Sequence, residues 1–396
     1  KYDYIAMNYI LVPADKQVVD MVLTAYDAAG QSRQVSLTQV PVQRNFRTNI
    51  YGALLTNPSV FDVVIDNEFG GDNNHEVAVA TTKEELKDAL ENGGDIIIPE
   101  GISLDMTEFI TGGDDNLAVT KPTNLIIDGK LTVNALGRIN VESTLNVSGS
   151  ATSRASGVGN TAGTGEIVTG DNAYGIFNVR GGKLTVSDIT IRHTNKLDGS
   201  PIALRENVDV LLENVTVVSD FGIINSWASS SGNIVMNNCK FSSTSNSARN
   251  GSNWTYAVRI LGELTAEMTD CEVDGVQGGI SASSGGRLTV NSGTYWTHRL
   301  VDEPKAANFY AAYSAQNGKI IIKGGNFYAE NGKKAIYNGD NDIAGDPYGC
   351  IELFGGRFAD QGYDQATGGI IEPTADCMWQ AIEGDPIYKW EIVKKK

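Results

Sequence analysis

The sequence predicts an all-β protein: a right-handed, single-stranded parallel β-helix of three strands per coil and about ten coils, preceded by a partial β-sandwich. Three observations predict it. A two-strand repeat frame recurs seven times between Leu184 and Phe358. A third apolar segment precedes most of these units by a constant interval, and the first 75 or so residues alternate in a different texture before a Gly- and amide-rich break.

Taken in chain order, YDYIAMNYIL at 3–12 and QVVDMVLTAY at 17–26 are apolar-rich, partly alternating segments separated by a short turn with Pro13, Ala14 and Asp15. They read as antiparallel strands. The stretch QVSLTQVPVQRNFRTNIYG, 34–52, alternates again, and Pro41 within it points to an edge or a strand boundary, because proline cannot donate to a ladder. Three or four such strands amount to half a sandwich.

On these residues the N-terminal part resembles a known family. NYILVPA at 8–14, VPVQRNFRTNIYGALLT at 40–56 and FDVVIDNEF at 61–69 are similar to the closing part of the fimbrillin-like lipoproteins of Bacteroidetes. The resemblance covers about a fifth of the chain. It implies an immunoglobulin-like β-sandwich on an exported surface protein, with some relatives acting as pilus subunits or tips. It also implies a lipid-bearing cysteine upstream of residue 1, and hence an extracytoplasmic place, on the outer-membrane surface or secreted. The competing reading of the Arg44-Asn45 region is a polar hairpin in an unrelated sandwich.

FGGDNNHEVAVATT, 69–82, reads as a linker, which divides the chain into a sandwich domain at 1–75 and a β-helix domain at 76–396. Thr82-Lys83-Glu84-Glu85 fits a capping box, Leu86, Ala89 and Leu90 share one helical face, and Gly93-Gly94 can stop a helix before the apolar run Asp95-Ile96-Ile97-Ile98. One helix at about 82–93 is therefore expected. EELKDALENGG leading into DIIIPEG is similar to the cap that closes the first coil of pectate-lyase-like β-helices.

In the repeat, apolar residues fall at offsets zero, two, five and seven, with a turn former at offset four: Leu184, Val186, Asp188, Ile189, Ile191. The frame restarts at Val210, Ile234, Ala266, Leu288, Ile320 and Ile351, at intervals of 26, 24, 32, 22, 32 and 31 residues. A variable period of this size belongs to solenoids. Eight residues upstream, Ile176, Ile202, Val258, Ile280 and Ala312 share one position and supply a third strand. No coil can bury its apolar face alone, so coils stacked at about 4.8 Å supply the core to one another. A leucine-rich repeat fails for want of its recurring frame, and a propeller would need antiparallel blades of more regular length. Insertions such as 244–255 and 296–307 are expected to collect at one corner.

Composition excludes several functions. Lys+Arg 31 against Asp+Glu 48 gives a net charge of −17, with no basic block except the closing Lys394-Lys395-Lys396. Phosphate neutralisation drives nucleic-acid binding, so nucleic acid is not an expected partner. No run reaches the roughly 18 to 20 apolar residues of a spanning helix. Cys239, Cys271, Cys350 and Cys377 form no zinc-like spacing. Cys239 and Cys271 share one repeat position, about 4.8 Å apart, inside the disulfide window; a ladder of buried thiols is the preferred reading over a bridge.

In pectate-lyase-like folds, ligands lie along the outer face of the strand that here contains Ile176 and its equivalents. Strand alternation makes the next position outward: Phe177, Ala203, Arg259, Ser281 and Tyr313, with Arg205, Asp220, Trp227, Trp254, Tyr256 and Tyr337 nearby. Glycoside hydrolysis needs two carboxylates about 5 to 9.5 Å apart, and this row has none. Eliminative cleavage of a uronate needs a base and acids that hold Ca²⁺; Arg259 with Asp220 is the one pairing available, and it lacks a second acid. A surface ion pair is the competing reading. The signatures of polygalacturonases are missing, and Asp114-Asp115 stands without partner motifs.

His75, His193 and His298 have no spacing partners, so structural roles are expected. Asp340, Asn341, Asp342 and Asp346 form the densest acidic loop, but Ile351 stands where a closing bidentate acid would be needed. It reads as a turn, leaving no expected metal or cofactor, with Ca²⁺ the ion this loop would suggest. Phe177, Trp227, Trp254, Tyr313 and Tyr337, with Arg259, could stack on and anchor sugar rings, or several of the aromatics could be corner packing. The expectation is a non-catalytic, adhesin-like surface protein that displays a glycan-binding face; the alternative is a polysaccharide lyase or glycoside hydrolase on the same face.

Overall fold

The computed structural model describes residues 17–26, 32–42, 47–52, 61–66, 78–112, 117–149, 165–194, 199–244, 256–275, 278–297, 310–330, 334–339 and 347–396. The chain divides into two compact units: a first within Lys1–Glu76, and a larger one over Val77–Gly149 and Val158–Lys396.

In the first unit, β1 (Gln17–Tyr26) pairs antiparallel with β2 (Ser32–Val42), with a register irregularity between Val19 and Met21. β3 (Arg47–Gly52) pairs antiparallel with β4 (Phe61–Asp66). The stretch 34–52 thus belongs to two strands. Pro41 lies opposite Val18 in a two-stranded sheet, where each strand has an open edge and a missing donor is tolerated. Leu37, Val40 and Val42 are buried, and Val19, Met21 and Ile50 pack on them, so the two antiparallel pairs share a small core. The expected strand at 3–12 lies outside the described residues.

The larger unit opens on β5 (Ala78–Val79) and α1 (Lys83–Asn92). The helix starts where the capping box dictates: Glu85 N–H donates to Thr82 Oγ1 at 3.2 Å, and Thr82 N–H donates to Glu85 Oε2 at 3.0 Å. Leu86 and Leu90 are fully buried and Ala89 packs on the core. Gly93 ends the helix at φ 77°, its N–H reaching Ala89 O at 2.9 Å.

Three long sheets follow. Sheet I has ten strands, from Ala118–Val119 to Tyr363–Asp364. Sheet II has eleven, from β5 and Gly94–Ile98 to Cys350–Leu353. Sheet III has twelve, from Ser103–Asp105 through Arg357–Phe358 to a closing pair, Cys377–Ala381 and Trp390–Lys394. All neighbours are parallel except where the closing hairpin joins and pairs, so among the described residues ten coils stack as a parallel β-helix, each visiting sheets II, III and I in turn. The repeat frame is the register itself: Leu184, Val210, Ile234, Ala266, Leu288, Ile320 and Ile351 pair residue to residue across sheet II. One continuous buried core fills the interior.

Offset four is the bend between sheets II and III. Asp188, Asn214, Asn238 and Asp270 all adopt left-handed backbone there, φ 51° to 56°. Short polar side chains tolerate that conformation because they bond locally. Here they also bond along the stack: Asn238 Nδ2 donates to Asn214 Oδ1 at 3.0 Å, and Asn214 Nδ2 to Asp188 Oδ1 at 2.9 Å. Asn214→Ala is expected to cost about 2 kcal/mol, roughly half from the left-handed backbone and half from the broken amide ladder. Asn214→Gly should cost only the second half; equal losses for the two variants in urea denaturation would contradict this division.

In the last three units the frame changes. Gly293, Gly325 and Gly356 at offset five take positive φ, 101° to 119°, so these are turn residues and not inward apolar positions. A Cβ on Gly293 would meet Cys271 O at 2.1 Å, which only glycine avoids. In the four earlier coils Ile189, Val215, Cys239 and Cys271 hold that position, all buried. The later coils instead fill their interior with Tyr295, Phe327 and Phe358, stacked at 5.0 and 5.1 Å. Cys239 and Cys271 carry free buried thiols that donate to Leu212 O and Met236 O. The hydrogen-bonded Cys271 thiol and burial together hold the Cys239 thiol above its ordinary range.

Each sheet's last strand is met by the C-terminal chain. Asp364 bridges Gly369 in sheet I, Thr374 N–H donates to Leu353 O in sheet II at 3.2 Å, and Arg357–Phe358 in sheet III pairs antiparallel with Trp390–Lys394. Trp379 packs edge-on against Phe358 and donates from Nε1 to Ile371 O. Insertions 245–255 and 298–309 fall between sheets III and I, while 150–164 falls between II and III and 340–346 between I and II.

Candidate functional site on the outer face of sheet I

Strands of sheet I are only two to four residues long; successive side chains alternate between faces, and Asn140, Asn178, Ala203 and Ser281 are buried on the outer side as well. Ile139, Phe177, Ile202, Ile224, Val258, Ile280, Ala312 and Ile336 point inward in one register column. The next position faces outward: Asn140, Asn178, Ala203, Asn225, Arg259, Ser281, Tyr313, Tyr337 and Tyr363.

Phe177 is a correction. It is fully buried in the core, and Asn178 takes the outward place assigned to it from sequence. The cause is connector length. Ile202, Val258, Ile280 and Ala312 stand eight residues before their sheet II partners, but the Gly181-Gly182 turn, with Gly181 at φ 70°, shortens this coil by one. A one-residue slip exchanges the faces of a strand, so Ile176 is displaced and Phe177 is the true equivalent of Ile202.

The first half of the face is built from amides and arginines. Asn178 Nδ2 donates to Asn140 Oδ1 at 2.8 Å, and Arg205 Nε reaches Asn178 Oδ1 at 3.4 Å. Arg205 stacks its guanidinium 3.5 Å from the Trp227 ring centroid, a close cation–π contact. Partial burial and the charge of Arg180 both lower its proton affinity. Arg138 covers Tyr174 at 4.9 Å and donates to Tyr174 O at 3.0 Å, and burial with the charge of Arg205 pushes it down to about 10. Arg259 stands between Asn225 and Ser281 in the outward row, and burial pushes it down to about 10 as well.

The second half is a tyrosine stack. Tyr256 lies against Tyr313 at 5.5 Å, Tyr310 against Tyr313 at 5.7 Å and against Tyr337 at 4.2 Å, and Tyr337 against Tyr363 at 5.5 Å. Gly278 makes room for it, since a Cβ there would sit 2.4 Å from the Tyr256 ring. Tyr313 is 8% exposed, with its ring stacked against two others, so packing rather than ligand contact explains it. Tyr337, Tyr363, Trp227 and Arg259 stay partly exposed. Tyr310 and Tyr363 carry no signal in the repeat as read from Leu184 to Phe358; extending the outward row two coils beyond Tyr313, through Tyr337, reaches Tyr363.

Asp220 lies on the corner before Ile224–Ser226 and accepts from Thr244 Oγ1 at 3.0 Å. The outward row of sheet I holds no carboxylate, so neither the two-acid arrangement of a hydrolase nor the second acid of a lyase is present in it. His193 closes the sheet III strand Thr190–His193 and is buried, its Nδ1 3.0 Å from Ser219 Oγ. Trp254, His75, His298, Asp114-Asp115 and the acidic loop with Asp340, Asn341, Asp342 and Asp346 lie outside the described residues. Among the described residues no group of three or more His, Cys, Asp or Glu side chains is placed to hold a metal, and no helix is long and apolar enough to cross a membrane.

Residues 1–96 match a family of unknown function, DUF6562. The match takes in the first unit and continues through α1 into the first coil. No curated protein and no solved structure matches the chain.

Proposed function

We propose that the chain is a non-catalytic, adhesin-like surface protein whose β-helix binds glycans along the outer face of sheet I. The observation that carries the reading is the composition of that face: partly exposed Trp227, Tyr337 and Tyr363 beside Arg205 and Arg259, with no carboxylate in the outward row. Aromatic rings pack on the apolar faces of sugars while guanidinium and amide groups satisfy hydroxyls. Surface display is supported by the likeness of 8–14, 40–56 and 61–69 to fimbrillin-like lipoproteins, and it brings with it an extracytoplasmic location and a lipid anchor of that family's kind.

The test is a glycan array paired with a turnover assay on the same polysaccharides. Binding without product release is expected, and Trp227→Ala should weaken it about tenfold, the range of one lost stacking contact. Release of unsaturated or reducing-end products, lost in Arg259→Ala, would replace this reading with a lyase or hydrolase. Absence of binding to every glycan would end it.

A further inference from the structure

We infer that Arg180 and Arg205 form an anion subsite, and that the glycan bound on sheet I is therefore an acidic polysaccharide carrying carboxylates or sulfate esters. The inference rests on the glycan-binding reading of that face. Val179 pairs with Leu204, so the two arginines that follow them occupy one column on neighbouring coils, about 4.8 Å apart along the stack. Arg180 is exposed. Arg205 is splinted on both sides of its fork, by the Trp227 ring at 3.5 Å and by Asn178 Oδ1 at 3.4 Å, and Asn178 is itself held by Asn140. Such splinting removes in advance the side-chain entropy that binding would otherwise cost.

Neither arginine forms an ion pair within 4.0 Å among the described residues, although Glu142 stands next in the same column and the chain carries 48 acidic residues. Placing two guanidinium groups side by side is unfavourable, and the charge of Arg180 accordingly works against that of Arg205. Two neighbouring guanidinium groups on an acidic protein, one of them held against the Trp227 ring, fit a ligand that brings its own negative charge. Guanidinium forks take carboxylate and sulfate oxygens bidentately, and two forks one coil apart can share one anion or take two in succession. Trp227 completes the column, so the sugar ring that bears or follows the anion meets the remaining exposed part of the indole.

The experiment measures binding of the full chain to three probes: an oligogalacturonate for carboxylates, a heparin oligosaccharide for sulfate esters, and dextran as a neutral glycan. Arg180→Gln and Arg205→Gln should each weaken the preferred charged probe about tenfold and the double variant about a hundredfold, as charge-assisted contacts do. Raising salt from about 0.05 to about 0.3 M should weaken the same probe in the parent and much less in the double variant. Arg205→Lys, which keeps the charge without the fork, should fall between. The better of the two charged probes identifies the anion. Charged-probe affinity unchanged in the double variant, or dextran bound as tightly as both, would overturn the anion subsite while leaving the glycan-binding face standing. Silence of all three probes, together with an empty glycan array, would remove both. Arg180 is exposed, so far-UV circular dichroism of Arg180→Gln should match the parent.

Discussion

Phe327→Ala is expected to lower stability by about 3–5 kcal/mol, the range for deleting a buried aromatic ring. Phe327 is fully buried between Tyr295 and Phe358, with ring planes within 13° and 10° of parallel. Each such pair adds roughly 0.5–1.5 kcal/mol beyond the area it buries. The cavity has little freedom to close, because parallel ladders in three sheets fix the spacing of the coils on either side. The loss should also be regional. In a solenoid each coil is stabilised chiefly by its neighbours, so coils beyond Phe327 and the closing hairpin should release together while earlier ones persist. Hydrogen exchange should find protection lost at Cys350–Leu353, Cys377–Ala381 and Trp390–Lys394 and retained at Val208–Glu213. Phe327→Leu, which leaves a smaller void, should cost less than half as much. A uniform loss of protection along the whole helix would contradict nearest-neighbour coupling.

Acid should destabilise the β-helix through His193. Burial, and then the charge of Arg138, depress this imidazole to about 3, and it is 1% exposed. In the unfolded chain it titrates near 6.5. The folded state therefore refuses a proton that the unfolded state accepts between pH of about 6.5 and about 3. The contribution is complete above the unfolded value and declines as pH falls through that window, at up to about 1.4 kcal/mol per pH unit. His193→Asn, which can still bond Ser219 but cannot titrate, should show a shallower decline of the urea midpoint between pH 7 and 4 than the parent. Parallel pH profiles for the two proteins would dismiss His193 as a source of acid sensitivity.

The repeat was legible because, in the coils from Leu184 to Phe358, sheets II and III are joined by a bend of fixed length. Offsets zero to two from Leu184 to Ile351 are register partners in every coil, since any slip would have turned a buried residue outward. Sheet I was less legible, since its connector to sheet II varies. The Gly181-Gly182 turn moved Phe177 into the core, and the same slip concealed Arg180, which in the shifted frame has no column to share with Arg205. Ile224–Ser226 escaped because its connector through Trp227–Ser230 is longer. Alternation foretold that Arg259, Ser281 and Tyr313 face outward, but not that Tyr313 is covered. Its cover, Tyr256 and Tyr310, comes from the corners upstream of the strands, where no period operates.

The meeting of all three final strands with the C-terminal chain also governs what the protein does in a crowd of its own copies. A stack of parallel coils is a template whose last rung offers unpaired backbone groups to any chain that arrives, which is the geometry of fibril growth. Here Gly369, Thr374 and the antiparallel strand Trp390–Lys394 occupy those positions, and at the opposite end α1 lays Leu86 and Leu90 over the first coil's core. Both ends of the stack are thus covered by residues of the same chain, which leaves fewer open backbone groups for a second copy to pair with.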